Sequence, residues 1–274
     1  MMHLRGAKKR DFNVLAFLVI FAIIACLMSG PSTLAFILFF LGIPSLFLIW
    51  RNPQNIQKAL LGTLLIGVVF GFAFDFLFEL NQVWAWSDDA RLMFPYKLFG
   101  VVSVDVIISY ALGVFFTVLF YEYFTDFDFS KHVSRHYFYA LIAGLLVDVV
   151  LLGIFYIAPA LLIISYAYFY LGIGMMILFL AVVFLHPTVL KRCLRIAPFF
   201  ALMYVAFECV ALSVGLWTFP GQYVGYIQIL GNRFPIEELF FWIIASSVVT
   251  ATFHEFVVDN TRELHRLERW IYRA

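Results

Sequence analysis

The stretch Pro235-Ile236-Glu237-Glu238-Leu239-Phe240-Phe241 places two adjacent carboxylates at the start of an apolar segment that runs to residue 258. Proline suits the first turn of a helix, because its missing N–H would have no partner there. Glutamates in that turn are stabilised by the positive end of the helix dipole. Acids are nevertheless costly in a bilayer, at about 2.5–3.5 kcal/mol each near its centre. The stretch therefore predicts either interfacial charges at a helix start or an acid–base site facing the interior of a bundle.

The whole chain has the composition of a membrane protein. Its 274 residues are 64% hydrophobic and 13% charged, and they include 34 Phe, which is unlike a soluble domain. Eight apolar segments are long enough to cross the ~30 Å core of a bilayer, at 12–29, 33–50, 57–80, 99–124, 136–157, 160–185, 190–215 and 235–258. We predict an all-α, polytopic transmembrane helical bundle of about eight spans.

The lysines and arginines predict its orientation. With the N-terminus in the cytoplasm, only Arg91, Lys97 and Arg233 of the 18 Lys and Arg residues fall outside. Because cytoplasmic loops carry the excess of positive charge, we expect an integral membrane protein with both termini in the cytoplasm. The net charge of +1 says nothing about acidic partners, and we expect no nucleic-acid partner.

The chain also repeats itself after 133 residues. This shift aligns Ala73-Phe74-Asp75 with Ala206-Phe207-Glu208, and Trp84-Ala85-Trp86 with Trp217-Thr218-Phe219. Further aligned pairs are Asp105 with Glu238, Glu122 with Glu255, and Asp126 with Asp259. We predict two direct four-helix repeats, 1–133 and 134–274, since an even number of helices keeps both copies in one orientation.

Five acids are expected at one depth of this bundle. Asp75 and Glu208 lie near the outer ends of the third and seventh spans, and each precedes a tryptophan by nine residues. Asp105, Glu237 and Glu238 begin the fourth and eighth spans from the same side. Acids within membrane segments are rare and mark functional sites, so we predict that these five carboxyls share a cavity.

Aromatic residues surround the predicted acids. The candidate wall residues are Trp84, Trp86, Trp217, Phe219, Phe240 and Phe241. Ring faces stabilise cations, and a desolvated carboxylic acid keeps its proton. A proton donor inside such a wall suits protonation of an alkene in a hydrophobic substrate, followed by reaction of the resulting cation.

The sequence predicts no second site at the opposite end of the bundle. Glu122 and Glu255 lie 17 residues beyond Asp105 and Glu238, or roughly 25 Å along a helix, and we expect them to be interfacial anchors. The histidines fall at or near the same helix ends. The chain has no GxGxxG, P-loop or HExxH motif, so we expect neither a cofactor nor a metal.

One group of these motifs resembles a known family. The group is Glu208, Leu216-Trp217-Thr218-Phe219, Tyr223-Val224-Gly225 and Pro235-Ile236-Glu237-Glu238. It resembles the integral-membrane lycopene cyclase domain family, which carries two such domains in tandem. The first half is similar at Asp75 and Trp84-Ala85-Trp86. It departs from the family at Val102-Ser103-Val104-Asp105, where Pro-x-Glu-Glu/Asp is expected.

The resemblance implies acid-catalysed, cofactor-free cyclisation of the ψ ends of lycopene. It makes Glu237 or Glu238 the general acid. Glu208 or the other glutamate is then the base or a group that orients the acid. Asp75 and Asp105 are the corresponding acids of the first half. The partners would be a polyene or isoprenoid substrate and the lipid bilayer, and the resemblance implies a bacterial or archaeal cytoplasmic membrane. Three alternatives stay open: a non-catalytic carotenoid or isoprenoid carrier, another isoprenoid-modifying enzyme such as a hydratase, and a small transporter.

The predicted orientation can be tested with reporter fusions. Green fluorescent protein fused after Ala274 should fluoresce and alkaline phosphatase at the same point should be inactive, because the charge bias places the C-terminus inside. The same two reporters inserted after Asp89, in a predicted outer connection, should behave in the opposite way. An active phosphatase after Ala274 would overturn the even number of spans.

Overall fold

The computed structural model describes residues 2–125, 133–134, 136–185 and 187–259. Asp126 and the C-terminal segment 260–274 lie outside the described residues, as do His132, His186 and His265. The basic residues at positions 131, 135 and 262–273 lie outside them as well. The predicted orientation, which depends partly on those residues, therefore stays a prediction.

The described residues form nine helices. They are α1 (Met2–Ser29), α2 (Thr33–Arg51), α3 (Pro53–Leu80), α4 (Val104–Phe124), α5 (His136–Ile157), α6 (Ala167–Leu185), α7 (Pro187–Cys193), α8 (Ala197–Ser213) and α9 (Glu238–Asp259). Within this part of the chain, seven helices are long and apolar enough to cross a membrane, namely α1–α6 and α9. The apolar helix α8 is shorter, at 17 residues. The chain is thus an all-α polytopic helical protein with the character of an integral membrane protein.

Two long connections carry short strands that the sequence does not predict. Strand β1 (Ala85–Trp86) pairs with β4 (Trp217–Thr218), β2 (Lys97–Leu98) with β3 (Val102–Ser103), and β5 (Tyr226–Ile229) with β6 (Asn232–Pro235). All three pairs are antiparallel. These strands lie in the α3–α4 and α8–α9 connections. Their pairing holds the two connections over one end of the bundle.

Helices α4 and α9 form the centre of the bundle. Helix α4 packs against α2, α3 and α9, and α9 also packs against α8. Gly67 of α3 admits the close approach of α4, because a Cβ there would lie 2.9 Å from Ala111 Cα. Small residues serve the same purpose in other membrane bundles. Helix α5, in contrast, lies at the periphery and exposes most of its apolar side chains.

Three of the long helices contain π-helical turns. These cover Ile37–Gly42 in α2, Thr63–Phe70 in α3, and Glu238–Ala245 and Glu255–Asp259 in α9. A π turn inserts a residue and rotates the following side chains around the helix, and such turns are frequent at functional sites. The first π segment of α9 begins at Glu238 itself.

The expectation that Glu122 and Glu255 are interfacial anchors is wrong. Both are buried in the interior. Glu122 Oε1 lies 2.8 Å from His254 Nε2, and Asn55 Nδ2 donates to Glu122 Oε2 at 3.1 Å. Glu255 accepts a hydrogen bond from the Tyr121 hydroxyl at 2.7 Å. These charged groups can be buried between the helix ends because each has a partner on another helix, and that partner replaces the hydration lost on burial.

A buried ion pair in the same region should contribute to stability. Lys58 and Asp259 pair with both side chains almost fully buried. Lys58→Met leaves the Asp259 carboxylate buried without a partner, and we expect a loss of about 3–5 kcal/mol. Thermal unfolding of the purified protein in detergent measures it.

The matched controls for this pair separate charge from packing. Lys58→Met combined with Asp259→Leu should recover most of the loss, since an apolar pair needs no compensation. Lys9→Met, at an exposed position of α1, should stay within about 0.5 kcal/mol of wild type. A double variant as unstable as Lys58→Met alone would contradict this account.

Candidate functional site

Two buried carboxyls are held in the same way by a tryptophan nine residues later. Trp84 Nε1 donates to Asp75 Oδ1 at 3.2 Å, and Trp217 Nε1 donates to Glu208 Oε1 at 2.9 Å. Asp75 and Glu208 are 0% and 1% exposed. Each acid lies on the last turns of a helix, and each indole folds back from the connection that follows. The spacing found in the sequence therefore corresponds to a contact in space.

The short strands bring the two tryptophan stretches together. Ala85 pairs with Thr218 and Trp86 pairs with Trp217. The ring of Trp86 contacts those of Trp84 and Trp217, with centroids 5.1 and 6.2 Å apart. The three indoles thus form a continuous layer over the end of the bundle where Asp75 and Glu208 lie.

Glu238 is held by a tyrosine that sequence reasoning missed. The Tyr168 hydroxyl, from the start of α6, donates to Glu238 Oε2 at 2.5 Å. The Tyr168 ring packs on Phe78 and Phe241, with centroids 5.1 and 6.3 Å away. No acid or motif lies near Tyr168 in the sequence, so its role depends wholly on how α6 packs against α9.

A second tyrosine joins the carboxyls of the two halves. The Tyr110 hydroxyl of α4 donates to Asp75 Oδ1 at 3.4 Å and interacts electrostatically with Glu238. Glu208 and Glu238 also interact electrostatically, as Tyr168 does with Tyr110 and Glu208. The structure therefore brings Asp75, Glu208 and Glu238 into one cluster with two phenols.

The cluster contains acids without a balancing cation. Within the described residues, Asp75, Glu208 and Glu238 form no ion pair with Lys, Arg or His. Like charges repel strongly in a low-dielectric interior, so neighbouring carboxyls without a cation cannot all be ionised. An arrangement of this kind stores protons out of reach of bulk water.

Glu79 is a further acid beside this cluster that the sequence prediction omitted. It lies one helical turn after Asp75 and interacts with it electrostatically. Its Oε2 accepts a hydrogen bond from Lys97 Nζ at 2.6 Å, and its Oε1 accepts from the backbone N–H of Ser103 at 2.8 Å. The i,i+4 spacing from Asp75 is a signal that could have identified it.

The other two predicted acids hold loops instead. Asp105 accepts hydrogen bonds from Thr33 Oγ1 at 2.5 Å and from the backbone N–H groups of residues 93 and 94 at 2.7 and 2.9 Å. Glu237 Oε1 accepts from the backbone N–H of Val224 at 2.6 Å. Each of these two carboxyls binds the preceding connection to the start of a helix. The predicted site of five acids is therefore reduced to three, namely Asp75, Glu208 and Glu238.

The predicted aromatic wall is also only partly assembled. Phe241 packs against Tyr168 and against Gly172, where a Cβ would lie 2.2 Å from the Phe241 ring. Phe240 points away from the cluster, as its exposed fraction of 53% shows. Phe219 lies further out in the connection and contacts the ring of Tyr223 at 6.2 Å. Sequence adjacency could not separate Phe240 from Phe241, since neighbours on a helix point in different directions.

Trp242 extends the wall in a way that the sequence did not predict. Its ring lies between those of Tyr110 and Tyr204, with centroids 5.5 and 5.3 Å away. The cluster is therefore bounded by a continuous aromatic surface that reaches from α4 to α8. Such a surface suits an apolar molecule that becomes transiently cationic.

Tyr223 ties the two connections to each other. Its hydroxyl donates to the carbonyl of Val83 and accepts a hydrogen bond from the backbone N–H of Gly221 at 3.0 Å. Burial raises the pKa of the Tyr223 phenol above its ordinary value. The donor to Val83 therefore persists at every physiological pH, and the layer over the cluster stays fastened.

Comparisons with known proteins add no relative. No family model, no curated protein and no solved structure matches this chain. Among the described residues, no group of three or more His, Cys, Asp or Glu side chains is arranged to hold a metal ion. The chemistry of the site must therefore be argued from its own geometry.

The loop-holding role of Asp105 predicts a change in stability. Asp105→Asn leaves one of its backbone donors without an acceptor, and we expect a loss of about 1–3 kcal/mol. Hydrogen exchange should rise at residues 91–94, because this loop loses an anchor. Thermal unfolding and exchange mass spectrometry in detergent measure both effects. Asp89→Asn, at an exposed position of the same connection, should change neither, and equal effects in the two variants would contradict the assignment.

Proposed function

We propose that this chain is a membrane-embedded acid–base enzyme that cyclises the ends of a polyene isoprenoid such as lycopene, without a cofactor. The observation that supports it most directly is the cluster of Asp75, Glu208 and Glu238, buried beside aromatic rings. The resemblance of the motifs around Glu208 and Glu238 to membrane lycopene cyclase domains points to the same chemistry. A carrier would need no such store of protons.

Glu238 is the general acid in this proposal. Its Oε2 accepts the hydrogen bond from Tyr168, which leaves the acidic proton on Oε1. Within the described residues Oε1 has no hydrogen-bond partner, so it is free to face a substrate. Burial away from water disfavours negative charge on Glu238 and thereby keeps the proton available for transfer.

Asp75 is the base. Its Oδ1 receives two donors, Trp84 Nε1 and the Tyr110 hydroxyl, which stabilise the carboxylate against burial and against the neighbouring Glu79. Its buried Oδ2 has no hydrogen-bond partner in the described part of the chain and can take a proton from substrate. Asp75 approaches from α3 and Glu238 from α9, so acid and base reach different carbons.

The reaction is an isomerisation that balances without a redox partner. Glu238 gives a proton to the terminal alkene, and the resulting tertiary cation is attacked by the next double bond to close the ring. Asp75 then removes a ring proton and restores a double bond. Phe241 and Trp242 present ring faces that stabilise the intermediate cation.

The two-repeat architecture is part of the proposal. Ala85 pairs with Thr218, and these two positions are equivalent under the shift of 133 residues. An antiparallel pair centred on equivalent residues is what an internal two-fold axis produces. We retain eight spans, with both termini in the cytoplasm and repeats at 1–133 and 134–274.

Contacts at the far end support the same axis. Tyr121 binds Glu255, and His254 lies against Glu122. The shift of 133 residues takes Tyr121 to His254 and Glu122 to Glu255, so the two contacts are exchanged by the same symmetry. The axis therefore extends from one end of the bundle to the other.

The repeats are unequal at the acid. Asp105 binds backbone N–H groups 11 and 12 residues earlier, as Glu237 binds one 13 residues earlier. By role, then, Asp105 corresponds to Glu237, and Val106 occupies the place of Glu238. Only one half supplies a general acid, so both halves contribute to a single reaction centre.

The proposal predicts that the two adjacent glutamates differ. Glu238→Gln keeps the size of the side chain and an acceptor for Tyr168 but removes the proton, and cyclisation should fall by about 10²–10⁴-fold. Glu237→Gln keeps the oxygen that binds Val224 and should retain activity. The assay is pigment chromatography of a lycopene-accumulating bacterium at matched membrane expression of each variant.

Two results would decide against this function. Full cyclisation by the Glu238→Gln variant would exclude Glu238 as the acid. No new pigment from the wild-type chain, with lycopene bound to the purified protein, would indicate a carrier. A hydroxylated acyclic product would instead show that water captures the cation, as in a hydratase.

A further inference from the structure

The proposed reaction leaves the enzyme in the wrong protonation state after each turnover. Glu238 has given up its proton and Asp75 has gained one, so a proton must travel from Asp75 to Glu238 before the next substrate reacts. Both side chains are buried, at 0% and 7% exposure. Asp75 is therefore closed to bulk water, and Glu238 is nearly so.

Each of these carboxyls has a tyrosine hydroxyl beside it. Tyr110 contacts Asp75 Oδ1 at 3.4 Å, and Tyr168 contacts Glu238 Oε2 at 2.5 Å. The two phenols are also close enough to interact electrostatically. Each carboxyl thus has its own phenol within one cluster.

We propose that Tyr110 and Tyr168 form a proton relay that returns the proton from Asp75 to Glu238 inside the bundle. The relay rests on the proposed function and completes its catalytic cycle. Rotation of the Asp75 carboxyl turns its new O–H from the substrate side to Tyr110. That O–H bond breaks as Tyr110 takes the proton, and Tyr110 passes its own proton on towards Tyr168. Tyr168 gives its proton to Glu238 Oε2, and rotation of this carboxyl returns the O–H to the substrate side. Both phenols end as they began, and nothing is oxidised or reduced.

The surroundings of the relay favour this internal return. Trp84, Trp86 and Trp217 cover this end of the bundle and exclude bulk solvent. The competing exit runs from Asp75 through Glu79 to Lys97, whose side chain is 48% exposed.

The relay has an isotopic signature that a structural role would not produce. Membranes with the full chain are equilibrated in D2O buffer and given unlabelled lycopene in liposomes, and mass spectrometry counts the deuterium in each ring. The first turnovers transfer the deuterons that start on Glu238, Tyr168 and Tyr110, and later turnovers reuse the protium taken from substrate. The wild-type product should therefore contain well below one deuterium atom per ring, falling as turnovers accumulate.

Removing either hydroxyl should raise this count. In Tyr110→Phe or Tyr168→Phe the acid must recover its proton from solvent, so the product should carry about one deuterium atom per ring at every turnover. Later turnovers should slow more than the first. Phenylalanine keeps the ring packing of Tyr110 on Trp242 and of Tyr168 on Phe78.

Tyr121→Phe is the matched control. It removes a buried hydroxyl that donates to a carboxyl, Glu255, at 2.7 Å, but at the opposite end of the bundle. Its product should have the wild-type deuterium content even if the protein is less stable. A higher deuterium content in this variant would show that lost stability, not a broken relay, opens the site to solvent.

The outcomes separate the relay from the reaction itself. A cyclised wild-type product with about one deuterium atom per ring at every turnover would overturn the relay and assign the exit through Glu79 and Lys97. The relay is equally overturned if both tyrosine variants keep the wild-type deuterium content. No cyclised product from the wild-type chain would contradict the proposed function instead.

Discussion

The structure depends on how carboxyl groups are accommodated in an apolar bundle. A carboxyl removed from water loses several kcal/mol of solvation unless a donor or cation replaces it. Asp75, Glu208 and Glu238 meet this need with aromatic N–H and O–H donors. Such donors satisfy one oxygen without neutralising the group, so the second oxygen and the proton stay available for chemistry.

Carboxyls at other positions are satisfied in a different way. Lys58 neutralises Asp259, while Asp105 binds only uncharged donors, two of them backbone N–H groups. These partners use up the acceptor capacity of a carboxyl and fix a loop or a helix end. The kind of partner, more than burial, therefore separates a structural acid from one suited to transfer a proton. Glu237 shares with Asp105 a backbone N–H donor that fixes a loop, although its buried Oε2 has no hydrogen-bond partner in the described part of the chain.

The sequence predicts the membrane bundle because length and hydropathy alone decide which segments can cross a bilayer. It also shows the nine-residue spacing from Asp75 to Trp84 and from Glu208 to Trp217, which the structure turns into a contact in each half. It could not predict Tyr110 or Tyr168, because a tyrosine in an apolar helix carries no signal of which carboxyl lies opposite. The burial of Glu122 was missed for the same reason, since His254 is far away in the chain.

The strand pairing of Ala85 with Thr218 has a consequence for function. It joins the two connections over one end of the bundle, so the tryptophans of both halves cover a single cluster instead of two separate ones. The unequal acids then become an advantage, because one half can supply the acid while the other supplies the base. A symmetric pair of acids would place two proton donors where a donor and an acceptor are needed.

The central claim is that Glu238 carries a proton inside the folded protein at neutral pH. Infrared spectroscopy of the purified chain in lipid, in the absence of substrate, detects the carbonyl stretch of a protonated carboxylic acid apart from that of a carboxylate. The account predicts such a band in the wild-type protein, diminished in Glu238→Gln and unchanged in Asp105→Asn. A spectrum in which Glu238→Gln removes only carboxylate absorption would contradict it.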